Sequence, residues 1–146
     1  MAGIPIPDRV RPLLEGRPIA FVTTMRPDGR MSTNPMGLIF DGTTIRLSTT
    51  TNRKKHRNLL ADDRITLCVV QPDNMNRYVE IRGRATVAPD AGREFINRIG
   101  KQYMDADVYP FDRPEDERVV ITVIPERISS PTIPPVSYTH LRAHET

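Results

Sequence analysis

Residues Thr49-Thr50-Thr51-Asn52-Arg53-Lys54-Lys55-His56-Arg57-Asn58 gather hydroxyls, amides and four cations in one short stretch. Such a set is suited to binding an anion. Hydroxyl residues at a strand end, followed by a helix opening, surround one phosphate with side-chain donors and free backbone N–H groups. The charge is wrong for a helix start that holds nothing. That end of a helix carries partial positive charge and favours Asp or Glu. Here Arg53, Lys54 and Lys55 fill the first turn, while Asp62 and Asp63 fall at the far end, where acids are disfavoured. A solvated basic face is the competing reading. Arg53 and Arg57, four apart on the helix, repel by only about 0.2–0.5 kcal/mol, which a surface helix tolerates.

Other reactive residue types form no constellation. His56 shares a helix face with Leu59 and Leu60, the pattern of a packed histidine. Glu80 beside Arg82 reads as a cross-strand ion pair. Cys68 lies inside the apolar run Ile65–Val70 and reads as a core thiol. With that single cysteine no intrachain disulfide forms, which fits a cytoplasmic protein. His140 and His144 are four apart but have no third ligand nearby, so no metal site is expected. No nucleophile elbow, zinc-protease helix, CxxC pair or phosphate loop occurs. Catalytic residues are therefore unassigned. Either the protein only binds, or a cofactor carries the reactive atoms and the protein orients it.

The elements that must position these residues follow from periodicity. At 146 residues the chain suits one domain, and 38% hydrophobic with 27% charged content suits a globular fold. A net charge of +3, 5% aromatics and no Trp argue against a nucleic-acid binder. No apolar run is long enough to span a membrane, and no secretory signal is visible. A short helix is expected at 6–16, with strands at 19–24, 30–40 and 44–48 separated by the turn signals Pro27-Asp28-Gly29 and Asp41-Gly42. The basic helix spans about 53–61. An apolar strand at 65–70 reads as buried on both faces, and the strand at 78–87 alternates cleanly. A helix at about 90–103, a loop at 104–117 and a strand at 118–124 complete the chain. The order βββ-α-ββ-α-β suits a mainly β, antiparallel barrel with peripheral helices. Residues 136–146 have neither period and follow Pro134-Pro135. They read as an irregular, non-native tail outside a domain at 1–135.

Residues 18–25, the turn Pro27–Arg30, the strand end Leu47-Ser48-Thr49-Thr50, the pattern Arg53-x-Lys55-x-x-Asn58-Leu59 and Tyr78-Val79-Glu80-Ile81-Arg82-Gly83 occur in this order. Together they resemble the pyridoxamine-phosphate-oxidase-like split β-barrel superfamily, and within it the F420-dependent oxidoreductases. The resemblance runs from about residue 8 to residue 133. It implies a six-stranded antiparallel split barrel of the FMN-binding type, working as a homodimer with the cofactor at the interface. Ser48, Thr49, Thr50, Arg53 and Lys55 would hold the cofactor phosphate, with Asn58 supporting the loop. The ring would lie against the strand at Asn34, Pro35 and Met36, and Tyr78 and Arg82 would reach in from the partner chain. The implied cofactor is the deazaflavin F420, with FMN as the alternative, and the implied substrate is a small unsaturated organic molecule. F420 carries several negative charges in a row, which suits four cations. A proton would come from solvent or from a hydroxyl such as Tyr78 or Tyr103. An FMN-dependent oxidase or flavin reductase and a non-catalytic cofactor-binding protein are the alternatives.

Overall fold

The computed structural model describes residues 3–131. A 3₁₀ turn at Asp8–Leu14 is followed by β1 (Ile19–Met25), β2 (Met31–Gly37), β3 (Ile39–Phe40), β4 (Ile45–Thr50) and α1 (Lys54–Ala61). Then come β5 (Arg64–Gln71), β6 (Asn74–Pro89), α2 (Glu94–Met104) and β7 (Arg118–Ser129). All pairings are antiparallel, in one sheet of order β2-β1-β5-β6-β7-β4-β3. β2 and β3 stand at opposite ends of that order, yet only Leu38 separates them in the chain. One segment of chain thus joins both ends of the sheet, which curls into the mainly β split barrel expected.

The strand expected over 30–40 is therefore two strands, and the sheet has seven rather than six. The break falls at Leu38, which is fully buried. Its N–H donates to Tyr103 Oη at 2.8 Å, and its carbonyl accepts from Gln102 Nε2 at 2.9 Å. Two α2 side chains thereby replace the ladder partners that a bend removes, and no backbone group is orphaned. Gly37 precedes the bend because the Tyr103 ring fills the space: a Cβ there would meet it at 2.8 Å.

β6 alternates as expected, with Val79, Ile81, Gly83 and Ala85 buried and Glu80, Arg82 and Arg84 on the outer face. β5 corrects the sequence reading. Ile65, Leu67 and Val69 are in the core, but Thr66, Cys68 and Val70 are only half-buried on the outer face. Each apolar residue type satisfied a two-sided pattern, and the strand is packed on one side only. Cys68 is consequently not a core thiol. The opening turn is 3₁₀ rather than α because Pro12 has no N–H to continue an α ladder; Val10, Leu13 and Leu14 still pack inward.

α2 begins at Glu94, four residues later than expected. Gly92 and Arg93 have φ of 62° and 58° and interrupt the chain before it. The Asp90 carboxylate accepts from the N–H groups of Phe95 and Ile96, both at 2.9 Å, and caps the helix from outside. The loop after α2 runs to Glu117, as expected. The boundary at residue 135, the tail 136–146, His140 and His144 lie outside the described residues.

Candidate anion-binding groove

A groove of about 260 Å³ opens where β2, the end of β4, the start of α1 and the middle of α2 meet. Asn34, Pro35 and Met36 line it from β2, and Ser48 and Thr49 from β4. Arg53, Lys54 and Lys55 line it from the α1 start. The structure thus brings together seven of the eleven residues expected at the cofactor site, with Lys54 beside them. β2 is an edge of the sheet beside β1, so half of its backbone polar groups lack ladder partners and are free for a ligand. Pro35 is tolerated there for the same reason.

The remaining expected residues lie elsewhere. Thr50 is buried, and its hydroxyl donates to Asn52 Oδ1 at 2.5 Å, fixing the bend into α1 rather than lining the groove. Asn58 is buried beneath the helix and donates to Thr24 Oγ1 at 3.1 Å, which pins α1 onto β1. Tyr78 and Arg82 stand on β6 outside the groove of their own chain. Arg82 Nε is 3.0 Å from Glu80 Oε1, an ion pair along one strand rather than across two. Arg57 is exposed and outside the groove, so three of the four clustered cations face it. His56 is half-buried and Leu59 buried, but Leu60 is exposed, so the shared apolar face is narrower than expected. Tyr103 is a structural hydroxyl. It accepts from Leu38 N–H and donates to the Pro18 carbonyl at 2.5 Å, and burial pushes its pKa up.

The electrostatics of the two ends of α1 differ. The acids at the far end are paired: Asp62 with Arg64 at 2.5 Å and Asp63 with Arg84 at 2.5 Å. The Arg64 guanidinium holds the Asp62 carboxyl down at about 2. Local pairing therefore accounts for the acids at that end. The cations at the start have no such partner: among the described residues no carboxylate pairs with Arg53, Lys54 or Lys55. Arg53 is the N-cap residue, and no side chain caps the first turn, leaving its N–H groups without a side-chain acceptor. Lys55 is buried to 9% exposure, and its ammonium donates to the neutral amide oxygen Asn34 Oδ1 at 2.5 Å. Burial, and then the Arg53 charge, lower its pKa. A buried, unneutralised ammonium beside an uncapped helix start is costly as it stands. A bound anion would relieve all three deficits at once. An acceptor-rich phosphate fits these residues.

On the far wall of the groove, Arg118 was not read from the sequence. Ile96 and Ile99 give that wall an apolar patch, and Tyr109 and Arg118 give it an aromatic and a cation. Arg118 packs over the Tyr109 ring at 5.1 Å and donates to Ser48 Oγ at 3.3 Å. Asp112, only 5% exposed, clasps Arg118 at 2.7 Å and Arg93 at 3.0 Å. Arg93 also donates to the carbonyls of Arg113 and Asp116, so the 105–117 loop is tied down at its centre. Register places Arg118 opposite Thr50, at the mouth of the groove. No local spacing signals that pairing; only the stripe of Ile96 and Ile99 on α2 was a legible hint.

Among the described residues, no group of three or more His, Cys, Asp or Glu is placed to hold a metal ion, and no helix is long and apolar enough to cross a membrane.

Comparison with known proteins bears on this geometry. The sequence pattern of the pyridoxamine 5'-phosphate oxidase family matches residues 6–130. A solved protein named F420 reductase is 34% identical, with a TM-score of 0.75 over 85% of this chain and 98% of its own. A Listeria innocua protein named as a candidate pyridoxamine 5'-phosphate oxidase is 20% identical, with a TM-score of 0.68 over 84% of this chain and 95% of its own. A conserved hypothetical protein from Mycobacterium tuberculosis is 21% identical, with a TM-score of 0.66 over 88% of this chain and 86% of its own. The last two likenesses concern the fold. No curated protein matches the chain.

Proposed function

The chain belongs to the pyridoxamine 5'-phosphate oxidase family, and on that premise we propose that it is an F420-dependent oxidoreductase acting on a small unsaturated organic substrate. The observation that carries this reading is the unneutralised cation cluster at the start of α1, with Lys55 buried against a neutral amide. Proteins of this fold family bind flavin-type cofactors, and the likeness to a protein named F420 reductase supports the deazaflavin. F420 supplies hydride chemistry when bound. Arg53, Lys54, Lys55, Ser48 and Thr49 hold its phosphodiester, and the edge of β2 at Asn34–Met36 supports its ring.

A second copy of the chain completes the site in this proposal. The groove, at about 260 Å³, falls below the roughly 300–1,000 Å³ of typical closed ligand pockets, so a flavin-sized ring needs another wall. The outer sheet face carries exposed Ile19 and Phe21 and half-buried Cys68 and Val70, surface a partner would cover. Tyr78 and Arg82 share that outer side and would reach the partner's groove. The groove's own residues orient donor and acceptor and exclude water. Tyr103, bound into the Leu38 bend, takes no part in proton transfer.

FMN is the alternative cofactor, favoured by the oxidase family whose pattern the chain matches. Titration of the purified protein with F420 and with FMN, followed by fluorescence, tests the assignment. Tighter binding of F420, and oxidation of its reduced form by enones, is the expected result. Binding of FMN alone would transfer the reading to a flavin oxidase or reductase. Binding without turnover would leave a cofactor-binding protein.

A further inference from the structure

Arginines face each other twice across the outer side of the sheet. Arg64 on β5 stands opposite Arg84 on β6, and Arg82 on β6 stands opposite Arg127 on β7. Like charges directly opposite are destabilising, and the chain treats the two pairs differently. Three carboxylates serve the first pair: Asp62 holds Arg64 at 2.5 Å, while Asp63 and Glu126 reach Arg84 at 2.5 and 3.6 Å. One serves the second: Glu80 holds Arg82 at 3.0 Å, and among the described residues no carboxylate pairs with Arg127. A β-bulge sets this inequality. Gly83 faces Pro125 but Arg82 faces Arg127, so β7 carries Glu126 as an extra residue. In unbroken register Glu126 would stand opposite Arg82. Gly83 permits the bulge, because a Cβ there would collide with the Ile124 carbonyl. The shift also returns Ile128 to the core side, opposite Ile81. That packing explains the shift but not the residue type at 127, which is exposed and where any polar side chain would serve.

The row that ends at Arg127 crosses five strands. Opposite one another from β2 to β7 stand Thr33, Thr23, Thr66, Arg82 and Arg127: three hydroxyls, two guanidiniums and no carboxylate. Resting on the reading of the groove as a cofactor site completed by a second copy, we propose that Arg127 is a further ligand-binding residue. With Arg82 it takes an oxyanion of the cofactor seated in the other copy's groove. The ligand group is a carboxylate or a phosphate, which offers an oxygen to each guanidinium. Charge complementarity sets the order of the layers. The groove with Arg53, Lys54 and Lys55 and the outer face with Arg82 and Arg127 are both positive. In direct contact they repel, and they attract an anion placed between them. Glu80 tempers Arg82 without cancelling the pair, since one acid stands beside two arginines.

The test titrates F420 and FMN into the full chain by fluorescence, with the oligomeric state followed by sedimentation. Arg127→Gln should weaken F420 binding by about tenfold, the scale of one charge-assisted hydrogen bond. Arg127→Glu should weaken it more, with the dimer intact. Arg127→Glu should also unfold at the same or higher urea concentration, because it gives Arg82 the cross-strand acid that the bulge withdraws. Should that variant not fold, Arg127→Gln decides alone. Arg84→Gln, from the pair already served by acids, should leave affinity unchanged. FMN, which ends at its phosphate, separates the two sources of the oxyanion. A loss with both probes assigns it to the phosphate, and a loss with F420 alone assigns it to the carboxylates beyond the phosphodiester. Four results overturn the Arg127 site while leaving the groove standing: unchanged affinity in the Arg127 variants, an equal loss in Arg84→Gln, a loss seen only where the dimer dissociates, or a parent that binds F420 as a monomer. Failure of the parent protein to bind either probe overturns both.

Discussion

Two basic walls face each other across the groove, and they are built in opposite ways. On the β7 side, Arg93 and Arg118 are buried or half-buried and share the Asp112 carboxylate. On the α1 side, Arg53, Lys54 and Lys55 have no carboxylate partner among the described residues, and Lys55 is buried nonetheless. The first arrangement is internally complete, so its cations act on the chain itself: they anchor the 105–117 loop and orient Ser48. The second is incomplete, and in the function proposed above its cations are completed by the cofactor's anion. A cation count would treat the two walls as one basic patch; their partners separate an internally paired wall from an unpaired one.

The largest expected effect falls on the completed wall. Asp112→Ala leaves Arg118 buried and unpaired, and urea unfolding should show a loss of about 3–5 kcal/mol. Asp112→Asn, which keeps the hydrogen bonds but not the charge, should lose less. Next comes the incomplete wall. Lys55→Met should weaken cofactor binding by about 1.5–3 kcal/mol, the worth of a hydrogen bond to a charged group. Its unfolding curve should be unchanged or shifted to higher stability, because an unneutralised buried ammonium is removed. Opposite signs at the two walls would establish the division; a destabilised Lys55→Met would erase it.

Smaller effects sharpen the comparison. Tyr103→Phe removes the hydroxyl that serves Leu38 and Pro18, and should cost about 1–3 kcal/mol of stability for the buried groups left unsatisfied, with the cofactor constants changed less than by Lys55→Met. The smallest is a pH effect. Burial and Arg53 lower the Lys55 pKa in the free protein, while a bound anion favours the ammonium. As pH rises through that lowered pKa, binding must take up a proton. Affinity should therefore fall with rising pH on the alkaline side, before an ordinary lysine would titrate. Lys55→Arg should flatten that limb in a binding titration.

Much of the fold was legible because its signals are local. The alternation of β6, the turns Pro27-Asp28-Gly29 and Asp41-Gly42, and the α2 stripe each sit within one element. The near wall of the groove was legible too, since Ser48 through Lys55 are contiguous in the chain. Arg118 on the far wall was not. It reaches Ser48 because β7 pairs with β4 in one particular register, and Asp112 reaches both arginines from a loop with no period. The Leu38 break is invisible for the same reason: the groups that satisfy its backbone, Gln102 and Tyr103, lie more than sixty residues away. β5 misled because Cys68 and Val70 are apolar residue types on an outer face, and periodicity does not report what covers a face.

The most direct test of the central claim is a paired fluorescence titration of F420 and FMN into the parent protein and into Arg53→Ala/Lys55→Ala. The parent should bind F420 more tightly than FMN, and the double variant should lose at least tenfold in affinity while unfolding at the same or higher urea concentration. Equal affinity in the two proteins would contradict the claim that the cations left without partners at the start of α1 hold the cofactor.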